Sequence, residues 1–279
     1  MEPPESRVTL VQAAEAQLRQ SLYTLPPEAW RRPSACHHWE VRDVVGHLIL
    51  GAELYLGVIA RGLQGDTSAP EGFPQAGTAN AASWSALFDP MSVTRRASLG
   101  DQLLATFTAT SDHLHELLAG CGPQDWETLC YHPASLLPVR MFVDLRLTEL
   151  VMHGWDIRSR LEPEAHLAPE SLPAFVALIT GAFRWAFWPG TRRSTPARYR
   201  FEVTGPIPLK TDIGVEGDQA RLEPVEAAQA NVIFHCATEP FVLLLYGRLS
   251  LPHALAAGRI AAEGDTELIS VFAQWFRGV

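Results

Sequence analysis

Val139-Arg-Met-Phe-Val-Asp-Leu-Arg-Leu-Thr-Glu149-Leu-Val-Met-His153-Gly-Trp-Asp156 is the stretch on which the reading of this chain turns. Phe142, Leu145, Glu149, Met152, His153 and Asp156 recur along adjoining faces of a helix running roughly from Val139 to Arg160. Glu149 and His153 are four residues apart, so on a helix they stand one turn above each other and can reach one ion together. Alone, such a pair is a weak signal, because it is more often a surface contact. Its weight comes from what the rest of the chain supplies.

Upstream, Val8, Val11, Ala14, Leu18 and Leu22 keep helical spacing from Arg7 to Leu22, and Pro26-Pro27 stops the pattern. A second helix opens near Val41 and runs to about Arg61, with Val44, Val45, Leu48 and Leu54 as its buried stripe. The stretch from Gly62 to Thr78 reads as a long connection. A third helix is expected from about Leu99 to Leu118, ended by Gly120 and Gly122. With the Val139–Arg160 helix, these make a four-helix bundle joined by one long crossover, which buries side chains along a common axis.

After Pro189 the pattern changes to alternating apolar and polar residues at Arg198–Val203, Lys210–Val215, Ala220–Leu222 and Asn231–His235, the mark of strands. Short helices at Pro240–Tyr246 and Leu251–Ala257, a strand at Arg259–Ala262 and a closing helix at Thr266–Phe276 complete the expectation. The fold class is therefore α+β, with a helical domain over 1-165 and a smaller α+β domain over 166-279. Leu172 to Trp188 is read as a helix bridging them.

The chain has 279 residues, 47% of them hydrophobic, enough for more than one core. A formal net charge of -9, with Lys210 the only lysine, argues against a nucleic-acid partner. Cys36, Cys121, Cys130 and Cys236 are scattered with no CxxC pair, so neither a disulfide framework nor a thiolate zinc knuckle is indicated, and a reducing cytoplasm is the expected compartment. No export signal is visible in the acidic, proline-containing first residues. The apolar runs Val44–Ala60 and Leu172–Trp188 carry charged residues and are short for a bilayer, so no membrane partner is expected.

His47 lies mid-helix in the apolar segment Val44-Val-Gly-His-Leu-Ile, where it is either a satisfied core histidine or a third metal ligand beside Glu149 and His153. Two imidazoles and one carboxylate leave a tetrahedral ion one open position, the arrangement of catalytic zinc. The same set suits nickel or ferrous iron. Asp156 and Asp43 are spaced to orient an imidazole, although Asp43 equally fits a favourable charge in a first helical turn. His113 and His115 point to different sides of a helix and read as surface residues, and His37 and His38 as loop residues. Neither a GxSxG elbow nor a nucleotide phosphate loop is found.

The segment Trp30-Arg-Arg-Pro-Ser-Ala-Cys-His-His-Trp-Glu-Val-Arg-Asp-Val-Val-Gly-His47-Leu resembles the opening of the mycothiol-dependent maleylpyruvate isomerase family. Glu149-Leu-Val-Met-His153-Gly-Trp-Asp156 is similar to that family's second motif. The resemblance implies an N-terminal DinB-like metal-binding four-helix bundle with His47, Glu149 and His153 as ligands. Tyr246-Gly-Arg248-Leu and Ala262-Glu-Gly-Asp265 resemble its C-terminal sterol-carrier-like domain, and imply Arg248 as an arginine of the active site. Glu40 departs from the threonine that commonly caps the second helix in the relatives.

Such a protein is expected to be an enzyme that holds zinc, or another divalent metal, and a low-molecular-weight thiol, with a small-molecule electrophile as substrate. A thiol near a divalent cation loses its proton. It then adds reversibly to a cis enone-acid to give the trans isomer, or is transferred as a whole. Mycothiol, bacillithiol and glutathione all fit, as do monomer and dimer. The competing expectation is a non-catalytic small-molecule or lipid-binding module with a structural or vestigial metal site, its cavity lined by Phe183, Trp185, Phe187, Trp188, Phe234 and Phe241.

Overall fold

A computed structural model describes residues 3–36, 38–162, 164–188, 193–225 and 229–278, apart from the side chains at 180, 182, 184, 185, 193 and 194. His37 and the side chain of Trp185 thus lie outside the described set. The chain divides into two compact units, Met1–Ser171 and Leu172–Val279.

The first unit is built on α1 (Pro4–Thr24), α2 (Val41–Gly62), α3 (Ala81–Leu99), α4 (Leu103–Ala119) and α5 (Val139–Arg158). α1 packs on α4 and α5, and α2 packs on the same two helices from the other side, which makes the four-helix bundle. Its core includes Val11, Leu22, Val44, Val45, Leu48, Phe107, Leu114, Phe142 and Val143, each no more than 1% exposed. By length and composition α2 could cross a membrane. Its apolar side chains are used instead inside the bundle, where Val44, Val45, Ala52 and Ile59 have no measurable exposure.

The helix expected from Leu99 begins at Leu103; what precedes it is α3, a fifth long helix that the hydrophobic pattern did not reveal. Only Ala81, Phe88 and Ser92 of α3 are buried, and Pro90 interrupts its hydrogen-bond ladder, so its apolar stripe is too thin to read. Its beginning is marked chemically. The Asn80 side chain accepts from the Ser83 N–H at 2.9 Å and the Ser83 hydroxyl accepts from the Asn80 N–H at 3.0 Å. A short hairpin, β1 (Leu129–His132) with β2 (Ser135–Pro138), precedes α5.

The second unit is a five-stranded sheet with helices. It holds β3 (Arg193–Val203), β4 (Leu209–Gly217), β5 (Gln219–Glu223), β6 (Val232–Cys236) and β7 (Ile260–Gly264) in the order β5-β4-β3-β6-β7. β3 and β6 are parallel and the other pairs antiparallel, with Phe201 opposite Phe234. Leu172–Trp188 is two short helices, α6 (Leu172–Ala177) and α7 (Ile179–Ala186), separated at Leu178. α8 (Thr238–Leu245), α9 (Leu251–Ala256) and α10 (Thr266–Trp275) complete the unit. Phe183, Phe234 and Phe241 are at most 1% exposed, and Phe201 packs against both Phe234 and Phe241 at 5.0 Å between ring centroids. These aromatics therefore serve as packed core.

Candidate metal centre

α2 and α5 present His47, Glu149 and His153 to one another. The Glu149 Oε2 atom is 3.0 Å from His47 Nε2 and 3.2 Å from His153 Nε2. The two imidazole rings meet edge to face, 4.7 Å between centroids. One ligand atom from each residue falls within 4.8 Å of the other two. His47 and His153 are 15% and 9% exposed at the side chain, whereas Glu149 keeps 37%, so the group is enclosed on the imidazole side and accessible along the carboxylate.

The other ring nitrogens are committed elsewhere. His153 Nδ1 is 2.9 Å from Asp156 Oδ2, and His47 Nδ1 is 3.4 Å from the Ser92 hydroxyl, whose own proton goes to the Phe88 carbonyl at 2.9 Å. Both contacts favour the tautomer with hydrogen on Nδ1, which leaves the two Nε2 lone pairs facing the Glu149 carboxylate. Three electron-rich atoms directed at one point repel each other unless a proton or a cation lies between them. Burial opposes charge on His153, yet Cys36, Asp156 and Glu149 together hold it well above the ordinary histidine range. Burial likewise disfavours the Glu149 anion, but His153 and His47 hold that carboxyl well below its ordinary range. For His47 burial prevails over the Glu149 hydrogen bond and the imidazole is pushed down. The cluster is thus arranged to keep positive charge beside a carboxylate, and its donor set of two imidazoles and one carboxylate fits a divalent ion.

The loop before α2 covers the cluster. The Ala35 N–H donates to the Asp156 carbonyl at 2.9 Å, and His38 turns through a left-handed backbone (φ 66°), which brings Trp39 back to bond Ser34. The Trp39 ring lies 5.0 Å from His47 and 6.4 Å from His153, and Phe88 of α3 meets His47 edge-on at 5.3 Å. Cys36, on the same loop, donates its S–H to Asp156 Oδ2 at 2.9 Å and sits 3.6 Å from His153 Nδ1. Asp43 does not orient His47. Its carboxylate accepts from the Glu40 N–H at 2.9 Å and from Arg96 at 2.7 Å, so it closes the N-terminus of α2 and ties α3 to it. Gly46 allows that approach, since a Cβ there would stand 2.9 Å from the Ser92 carbonyl oxygen.

Arg248 belongs to the second unit, in the turn after α8, where its guanidinium donates to the Tyr246 carbonyl at 2.7 Å. Ser92, Phe88 and α3 as a whole escaped the sequence reading.

Residues 11–158 match the model of the mycothiol maleylpyruvate isomerase N-terminal domain. The chain belongs to that family. Residues 191–277 match the SCP-2 sterol transfer family, so the family's N-terminal helical domain is followed here by a sterol-carrier-type domain. Two crystal structures of mycothiol-dependent maleylpyruvate isomerase, one of them a point mutant, are similar over 95% of this chain and 95% of theirs. Both give a TM-score of 0.66, at 13% identity and, for the mutant, 12%. At that identity the likeness concerns the fold alone. A search among curated proteins returns no match by sequence.

Proposed function

We propose that this member of the family is a metal-dependent, thiol-using enzyme that works on a small electrophile, as a cis-trans isomerase or a thiol S-transferase. The observation that carries the proposal is the convergence of His47 Nε2, Glu149 Oε2 and His153 Nε2 on one point, with both Nδ1 atoms occupied elsewhere. These three residues would hold the ion, expected to be zinc. When bound, it supplies Lewis acidity that lets a thiol exist as thiolate near neutral pH.

The chain's own groups have distinct tasks in this reading. Asp156 and Ser92 fix the two rings, Trp39 and Phe88 exclude water from the imidazole side, and the exposed edge of Glu149 marks the side of approach. An activated thiol adding to a cis enone-acid turns its double bond into a single bond; rotation and expulsion of the sulfur then leave the trans isomer. A substrate carboxylate calls for a cation.

The test measures metal content in the purified wild type and Glu149→Gln, then assays both with small thiols and electrophiles. Wild type should carry about one ion per chain and show thiol-dependent turnover, while Glu149→Gln, still folded, should lose both. A wild type that takes up zinc but turns over no electrophile with any thiol would overturn the proposal.

A further inference from the structure

Among the described residues, the acids around the metal centre have partners, with one exception. Asp43 is held by Glu40 and Arg96, Asp156 by His153 and Cys36, Glu53 by Arg95, and Glu149 by the two imidazoles. Asp89 has no hydrogen-bond or ion-pair partner among the described residues, although it is half-buried. Its oxygens are not sealed from solvent, so the carboxylate is free to take and release a proton, and perturbed carboxylates of this kind concentrate at working sites.

Its placement is set by α3. Phe88, Ser92 and Arg96 form the stripe of α3 that packs on α2, meeting His47, His47 again and Asp43. Asp89 follows Phe88 and precedes Ser92 by three residues, so it belongs to the edge of that stripe. Its two neighbours on that stripe, Phe88 and Ser92, both meet His47, which puts Asp89 within one helical turn of the centre, and its charge is felt at His47 and His153. Burial raises its proton affinity above that of an ordinary aspartate, with the two histidines pulling it back.

Elimination points the same way. A thiol entering the centre must lose a proton. The ion would claim His47 Nε2, His153 Nε2 and Glu149 Oε2; the two Nδ1 atoms face Ser92 and Asp156, and Asp156 already accepts from two groups. That leaves the second Glu149 oxygen and the Asp89 carboxylate as acceptors, and of these only Asp89 is free of the ion's donor set.

We propose that Asp89 is the general base of this site, taking the proton of the incoming thiol from the α3 side. The S–H bond breaks, its electron pair stays on sulfur, the proton forms an O–H bond on the Asp89 carboxyl, and the proton later passes to solvent. This role rests on the thiol-using reading above.

The experiment uses the full, zinc-loaded chain and N-acetylcysteine, and follows thiolate absorbance in a stopped-flow instrument as a function of pH. If Asp89 accepts the proton, wild type associates at a rate nearly independent of pH from about 6 to 8. Asp89→Asn must wait for thiolate already present in solution, so its rate should rise about tenfold per pH unit below the thiol pKa of about 8.5. It should lag by roughly 100-fold near pH 6.5 and meet wild type at high pH. The other titratable groups acting on Asp89 are His47 and His153, both committed to zinc in the loaded protein. Asp89→Glu should restore the flat profile, and zinc content should be equal in all three. Asn has the shape of Asp without its charge; Asp89→Ser gives the same comparison should Asp89→Asn misfold.

Equal pH profiles in wild type and Asp89→Asn would overturn the assignment, as would loss of zinc from Asp89→Asn, which would make Asp89 a support for the ion. If zinc-loaded wild type binds no thiol, the thiol-using reading itself fails, and wild type alone reveals it.

Discussion

Removing the Glu15 carboxylate should unfold the helical unit more readily than any change of similar size on its surface. Arg146 of α5 is 1% exposed and Glu15 of α1 is 2% exposed, and two guanidinium nitrogens each lie 3.2 Å from Glu15 Oε1. The same guanidinium donates to the Leu48 carbonyl of α2 at 3.0 Å and to the Ser111 hydroxyl of α4 at 3.1 Å. It therefore braces all four helices of the bundle, next to His47 on α2 and three residues before Glu149 on α5. Burial pushes the Glu15 carboxyl up even against the pull of Arg146 and Ser111, so desolvation exceeds what the pair returns. Glu15→Ala leaves a buried cation with two neutral acceptors, which should cost about 3–5 kcal/mol. The midpoint of urea unfolding should then fall by roughly 1–2 M. Hydrogen exchange in α2 and α5 assigns that transition to the helical unit. In Glu15→Leu/Arg146→Met no charge is stranded, and most of the loss should return. A single variant that shifts the midpoint by less than about 0.5 M, or a double variant as unstable as the single one, would refute this reasoning.

Asp156→Asn should leave the bundle folded but lower zinc affinity by roughly 10–100-fold in a chelator competition, because the His153 ring loses its anionic partner. Gly46→Ala should lower thermal stability by about 1–3 kcal/mol, since its Cβ would stand 2.7 Å from the Arg96 Cβ and 2.9 Å from a backbone oxygen. His132, on the hairpin, is pushed down to about 4 by burial, with Glu149 pulling the other way. The unfolded chain therefore binds more protons than the folded one between about pH 6.5 and that value. This contribution is complete above about pH 6.5 and is lost as pH falls toward about 4, up to roughly 3 kcal/mol. His132→Gln should flatten acid unfolding over that interval; an unchanged curve would contradict it.

The four bundle helices could be read in advance because each supplies a broad apolar stripe to a shared core, as Val44, Val45 and Leu48 do in α2. The same holds for the strands, where inward residues alternate along β3 and β6 and pair as Tyr199 with Val232 and Phe201 with Phe234. α3 could not be read that way, since it rests on the bundle through Phe88, Ser92 and an Arg96–Asp43 ion pair. Half of the metal centre's surroundings went with it. Glu149 and His153 were visible as a pair because helical spacing alone joins them. Ser92 and Asp89 reach the centre only through the packing of α3 on α2, which no local pattern encodes. Asp43 shows the opposite case: spacing left two roles open, and the Glu40 and Arg96 contacts decide for the helix end.

Diffraction from crystals soaked in zinc, with anomalous scattering recorded at the zinc edge, tests the central claim most directly. The account predicts one ion per chain within about 2.0–2.2 Å of His47 Nε2, His153 Nε2 and a Glu149 carboxylate oxygen. An empty centre at saturating zinc, or an ion seated instead between Cys36 and Asp156, would contradict it.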